Sequence, residues 1–190
     1  MGVGRCLGQG GKPRRYVALW QFLHAHVPSV FTRVSLTICP MRAKAQVSNL
    51  PCPCGSDIAY AACCGVWHRG LGPQGGAAAT PGRPTFAPTP EALMRSRYSA
   101  YALGDIAYLL ATWHGSTAPG ELDLQPLKWL GLEVRHALSE GDAGVVEFVA
   151  RYRDLSRGGQ AGRLHELSRF VREGERWYYV DGQMVGEDGA

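Results

Sequence analysis

The hydrophobic rhythm of this chain changes once, and the change separates helices from strands. Ala92, Leu93, Met94, Tyr98, Tyr101 and Ala102 recur at helical spacing. Thr89-Pro90-Glu91 opens that stretch with a capping hydroxyl, a proline suited to the first helical position and an acid in the first turn. Gly104-Asp105 breaks it, and Asp105 is placed to cap a second helix from Ile106 to Trp113, ending near Gly115. Pro119 to Pro126 reads as loop. From Lys128 the period falls to two. Trp129 to Leu138, Ala143 to Asp154, Arg163 to Arg172 and Arg176 to Asp181 read as strands. The turns between them fall at Ser139-Glu-Gly-Asp142, Ser156-Arg-Gly-Gly159 and Glu173-Gly-Glu175. Helices followed by an antiparallel meander predict an α+β fold, with helices on one face of a curved sheet.

The rest of the chain has a different texture. Residues 71–88 are rich in Pro, Gly and Ala, a composition that cannot bury a core and predicts a mobile tether. The expected organisation is a basic extension (1–46), a cysteine knuckle (47–70), the linker (71–88), the α+β domain (89–184) and a short tail (185–190). At 190 residues, 45% hydrophobic and 19% charged, the chain suits one medium domain with attachments.

The formal charge of +4 hides an asymmetry. The first 50 residues hold seven of the 20 Lys/Arg residues and none of the 16 acids. The folded part is slightly acidic, which argues against sequence-specific nucleic-acid binding. The apolar run from Tyr16 to Leu23 and the Ala43-Lys-Ala45 triplet have the flavour of a signal or transit peptide. His24, His26 and Pro28 interrupt that run, so it is too short to span a membrane. We read Met41 as the start and 1–40 as an upstream extension of the frame. That segment is then expected to be poorly ordered, with no structural role for Cys6 and Cys39.

The strongest chemical signal is Cys52-Pro-Cys-Gly-Ser-Asp-Ile-Ala-Tyr-Ala-Ala-Cys-Cys64. Four thiolates brought to one point match the tetrahedral preference of Zn²⁺, and four sulfurs leave no open position, which marks structural rather than catalytic zinc. Gly55 and Ser56 fall where a tight turn is needed, and its backbone amides are expected to bond the sulfurs. Asp57 to Cys64 is expected to form a short helix or turn, with Tyr60 covering one side. Disulfides are the rival reading: 52 with 63 and 54 with 64 remain open in an oxidising compartment. His68 is a substitute ligand.

Cys-Pro-Cys-Gly-Ser, then Tyr60, then Cys63-Cys64-Gly65 resembles the SEC-C zinc motif, found at the C-terminus of the preprotein translocase ATPase. The resemblance implies a zinc-bound adaptor surface, which in the translocase contacts a chaperone and the ribosome. No phosphate loop accompanies it here. Leu93-Met-Arg-Ser-Arg-Tyr-Ser-Ala-Tyr101, Thr112-Trp-His114, Val146-Glu-Phe-Val-Ala-Arg-Tyr152, Ser168-Arg-Phe170 and Trp177-Tyr-Tyr-Val-Asp-Gly182 resemble the bacterial YchJ-like family. That family joins a SEC-C knuckle to a nuclear transport factor 2-like domain. The resemblance covers about residues 50–183 and implies a cone-shaped α+β fold able to enclose a pocket. A second, C-terminal knuckle carried by some members is absent.

These readings point to a cytoplasmic zinc-binding adaptor that docks on a protein or ribosome-associated partner through the knuckle, with homodimerisation or ligand binding by the domain. Loss of the knuckle is expected to leave the larger domain folded. The alternative is a small pocketed enzyme with His114 as acid/base, oriented by Glu147, Glu166 or Asp181, and Arg97 as anion anchor. Arg95, Ser96 and Arg97 with Arg169 form a candidate anion site. Against it stands an internal pair of Arg97 with Glu147 or Glu166. His165 and Glu166 are strand neighbours and point to opposite faces; Trp177 and Tyr179 share one face and Tyr178 takes the other.

Overall fold

The structure, a computed structural model, describes residues 49–70 and 86–186. The readings made for 1–46, including the Met41 start, Cys6 and Cys39, fall outside the described residues, as does most of the linker.

Helix α1 (Gly65–Gly70) follows the last cysteine. Helix α2 (Pro90–Leu103) begins as its sequence requires: the Thr89 hydroxyl accepts from the Ala92 amide at 3.1 Å, with Pro90 inside the first turn. It ends at Gly104, whose φ of 72° is the left-handed cap that glycine adopts without strain. Helix α3 (Ile106–Ala111) is capped by Asp105, which accepts from the Tyr108 amide. It stops short of Trp113 because the chain there joins the sheet. The Tyr179 amide donates to the Thr112 carbonyl, and the His114 amide donates to the Tyr179 carbonyl.

Four strands follow: β1 (Leu127–Glu140), β2 (Ala143–Asp154), β3 (Gln160–Glu173) and β4 (Arg176–Met184). They form one antiparallel sheet in the order β1-β2-β3-β4. β1 is irregular at Trp129/Gly131 and Val134/His136, and β3–β4 slips at Arg169/Phe170. The inner face presents Val146, Phe148, Ala150, Leu164, Phe170, Trp177 and Tyr179 to Leu93, Met94, Tyr98 and Leu109 of the helices. Tyr178 lies on the other face, as alternation demands. This is the expected α+β arrangement, helices over one side of an antiparallel sheet.

Unlike an ordinary amphipathic surface helix, α2 is buried nearly all round. One side packs on the sheet; Ser96 and Ser99, both fully buried, face the knuckle. The knuckle is therefore not an isolated module on a tether. Trp67 of α1 packs against both the sulfur cluster and the domain core.

Candidate metal centre

Two turns bring the cysteines together. The Cys52 amide donates to the Ile58 carbonyl and the Gly55 amide to the Cys52 carbonyl, at 2.8 and 3.1 Å. Gly55 sits at φ 76° and Asp57 at φ 59°, and this reversal returns the chain beside its start. A 3-10 turn at Tyr60–Ala62 then presents Cys63 and Cys64. The helical segment expected between Asp57 and Cys64 is only this turn; the α-helix itself begins at Gly65.

All four sulfurs lie within 4.8 Å of one another. Cys54 Sγ is 3.7 Å from Cys63 Sγ, and Cys63 Sγ is 3.9 Å from Cys64 Sγ. A tetrahedral ion bound at about 2.3 Å to sulfur requires S···S edges of about 3.8 Å. Both separations match that edge, and both are far from a disulfide bond of about 2 Å; the four cysteines are free thiols. The donor set could hold a metal ion.

The surrounding hydrogen bonds fit a charged sulfur cluster. The Ser56 hydroxyl lies 3.2 Å from Cys63 Sγ, and the Ser99 hydroxyl, from α2, lies 3.5 Å from Cys52 Sγ. The Cys54 amide also bonds Cys52. Two hydroxyls thus share work that the sequence reading assigned to turn amides. Hydrogen bonds from Cys54 and Cys64 hold the Cys52 thiol far below its ordinary value. The bond to Cys52 pushes Cys54 and Cys64 up, and burial adds to it. A bound cation would offset the charge of thiolates gathered this closely.

His68 is not a ligand. Its Nε2 lies 2.9 Å from the Ser96 carbonyl, so Nε2 carries the proton, and Nδ1 accepts from the Tyr60 hydroxyl at 2.8 Å. Its ring stacks on Tyr108 at 4.1 Å. With the bond from Arg95 to the Cys54 carbonyl, these contacts fasten the knuckle to α2. Sequence reasoning missed this role; two serines three apart on a helix buried on every side were the available signal.

Tyr60 covers the cluster and fixes the next residue. A Cβ on Gly65 would lie 2.7 Å from the Tyr60 carbonyl oxygen and 2.9 Å from its ring. Gly65→Ala is expected to cost about 1–3 kcal/mol by overpacking. Metal loss to a chromogenic chelator should be faster in this variant; an unchanged rate would mean the knuckle tolerates the methyl.

The other candidates do not assemble into one site. His114 is half-buried, with Nδ1 2.6 Å from Ser116 Oγ and Nε2 3.1 Å from Glu173 Oε1. Its carboxylate is Glu173, none of the three considered. Arg97 is buried, donating from one nitrogen to the Leu109 carbonyl and Thr112 Oγ1, both at 2.7 Å. It forms no ion pair with Glu147 or Glu166 within 4.0 Å. Glu147 instead binds His165 at 2.7 Å, Arg95 pairs with Glu91 and Arg169 with Asp181. The Arg95–Arg97–Arg169 anion site is therefore not formed.

Glu166 is fully buried on the inner face, where its Oε1 accepts from Ser168 at 2.6 Å. Burial raises its carboxyl above the ordinary value of 4.5. The folded state then holds a proton that the unfolded state has lost, so stability falls as pH rises from about 4.5 through the raised value. Glu166→Gln should flatten that part of the urea-midpoint profile; a slope retained in the variant would place its origin elsewhere.

Comparison with known proteins places this geometry. Residues 49–65 match the model of the SEC-C motif, and residues 89–182 match that of the YchJ middle NTF2-like domain. A UPF0225 protein of Chromobacterium violaceum is 55% identical over 152 residues, covering 76% of this chain and 100% of that one. The chain belongs to the YchJ family. A second YchJ-family relative, the UPF0225 protein of Cupriavidus metallidurans, is 49% identical over 151 residues, with 75% and 95% covered. The solution structure of a SEC-C motif containing protein from Rhodopseudomonas palustris superimposes with a TM-score of 0.55 at 35% identity, covering 72% of this chain and 100% of that one. A crystal structure of a SEC-C motif containing protein from Psychrobacter arcticus gives 0.56 at 26% identity, covering 76% and 88%. The nuclear transport factor 2-like fold that the resemblance implied is thus the family's fold. Among the described residues no helix is long and apolar enough to cross a membrane.

Proposed function

We propose that Cys52, Cys54, Cys63 and Cys64 hold one structural Zn²⁺, and that this YchJ-family protein is an adaptor docking on a protein or ribosome-associated partner through the knuckle. The observation that carries the reading is the closed set of four sulfurs at tetrahedral spacing. Such a set fills the coordination sphere of zinc and leaves no position for water or substrate. When bound, the ion would supply charge compensation and cross-linking of the two turns, not reactivity.

Exposure supports the docking half. Leu50 and Ile58, on the two segments joined by the short bridge at Pro51 and Ala59, are 56% and 50% exposed and offer apolar surface on the knuckle. A homodimer fits the same adaptor role. The enzyme reading has less support, because His114 pairs with Glu173 while Arg97 is enclosed on Leu109 and Thr112.

Elemental analysis of the purified chain should find one zinc per molecule. Co-sedimentation with ribosomes and capture from lysate should be lost with a chelator and in a Cys63→Ser/Cys64→Ser variant. Capture retained without metal would refute the adaptor reading, and another ion at full occupancy would refute the zinc.

A further inference from the structure

The four sulfurs of the knuckle are not equivalent. Cys52, Cys54 and Cys64 are 4%, 1% and 0% exposed, whereas Cys63 is only half-buried. Cys63 Sγ lies 3.7 Å from Cys54 Sγ and 3.9 Å from Cys64 Sγ. The Ser56 hydroxyl is 3.2 Å from the same sulfur. Ser56 Oγ also accepts from the Ile58 amide at 3.4 Å, which leaves its proton for Cys63. A thiolate has no proton of its own, so it accepts, and such a bond ties up the electron pair that a nucleophile uses. Cys52 has a comparable hydroxyl at 3.5 Å, that of Ser99, but this contact is buried against α2. Cys63 is therefore the sulfur within reach of a small solute, and Ser56 is the group that restrains it.

We propose that Cys63 is a modification site for a hydroperoxide, that Cys54 is its resolving partner, and that the disulfide between them releases the metal. The inference rests on the zinc assignment proposed for the cluster. The Cys63 thiolate attacks the peroxide: an S–O bond forms, the O–O bond breaks, hydroxide leaves and the sulfur gives up two electrons. The Cys54 thiolate then attacks the sulfenic sulfur: the S–S bond forms, the S–O bond breaks and a second hydroxide leaves. Two thiolates and one peroxide thus give one disulfide and two hydroxides. Cys64 is as near as Cys54 but is the wrong partner. Adjacent residues have Cα atoms about 3.8 Å apart, below the span that a relaxed disulfide takes. Only Cys52 and Cys64 then remain as thiolate donors, and two sulfurs do not complete a zinc site.

The test uses the full chain with its metal, hydrogen peroxide as the probe and a chromogenic chelator to follow release. Remaining thiols are alkylated under denaturing conditions, and the chain is cleaved before Asp57, the one acid between the two cysteine pairs. Fragment masses then assign each sulfur. The expected product is a Cys54–Cys63 disulfide that forms in step with metal release and is reversed by dithiothreitol with added zinc. Ser56→Ala, with metal at the parental level, should oxidise about fivefold faster, because one hydrogen bond to a charged sulfur is lost. Ser56→Thr, which keeps the hydroxyl, should stay near the parental rate. A chain purified without zinc refutes the zinc assignment, and the disulfide map still decides which sulfurs pair. First oxidation at Cys52 or Cys64, a different pairing, metal retained beside the Cys54–Cys63 disulfide, or a parental rate in Ser56→Ala overturns the proposal.

Discussion

Removing metal from the cysteine cluster is expected to lower the unfolding midpoint of the whole described fold, by about 10 °C or more. The cluster touches the domain at several points on one helix. Ser99 bonds Cys52, Arg95 bonds the Cys54 carbonyl, and Ser96 receives His68. Without the ion, four clustered thiols, three of them buried, lose the cation that stabilises their charge, and the turns from Cys52 to Cys64 lose their cross-link. The Ser96 carbonyl and the Ser99 hydroxyl would then face water or unmatched groups in a buried interface. The sequence alone suggested that the larger domain would be indifferent to the knuckle; the docked geometry reverses that expectation. Near-UV circular dichroism separates the outcomes, because Trp113, Trp129 and Trp177 all lie in the domain. A tryptophan transition unmoved by chelation or by Cys64→Ser would show that the two parts are energetically independent.

His68→Ala is expected to produce the second large effect while leaving the sulfur ligands intact. The substitution removes hydrogen bonds to Ser96 and Tyr60 and a ring stacked on Tyr108. Two buried hydrogen bonds and an aromatic-sized cavity together give about 3–5 kcal/mol. Metal content should stay at the parental level, but unfolding should separate into two transitions. The parent should show a related pH dependence. Burial depresses the His68 imidazole below its ordinary value of 6.5. The unfolded chain then binds a proton that the folded one does not, so stability is full above about 6.5 and declines as pH falls below it. Glu166 acts in the opposite direction, its contribution falling as pH rises from about 4.5. A single cooperative transition in His68→Ala at parental stability would remove His68 from the role of clamp.

Much of this was legible in the chain. Period-two alternation located all four strands, and Thr89-Pro90-Glu91 located the start of α2 to the residue. The cysteine spacing located the sulfur cluster, because turn chemistry is local. What escaped was long-range. The end of α3 is decided by pairing with Tyr179, some 65 residues away, and no helical signal near Trp113 records it. The attachment of knuckle to domain escaped for the same reason. His68 looked like a spare ligand beside four cysteines, yet its partners Ser96 and Tyr108 lie across a linker that conceals the proximity. Arg97 was assigned a carboxylate partner from charge alone, whereas the fold gave it carbonyl, hydroxyl and aromatic neighbours.

The irregularities in β1 carry a further consequence. The meander leaves β1 and β4 at the margins of the sheet; the segment Thr112–His114 pairs with Tyr179 on β4, so β1 is the more open template for another chain. β1 departs from regular register at Trp129/Gly131 and again at Val134/His136, and it carries Glu133 and Arg135 between those points. A strand bent twice within its length, with charges at the centre, is a poor template for end-to-end growth of sheets. Straightening it by deleting both Leu130 and Arg135, the residues left unpaired at the two irregularities, would expose a flatter border, and the resulting protein should form fibrils under conditions where the parent stays dispersed.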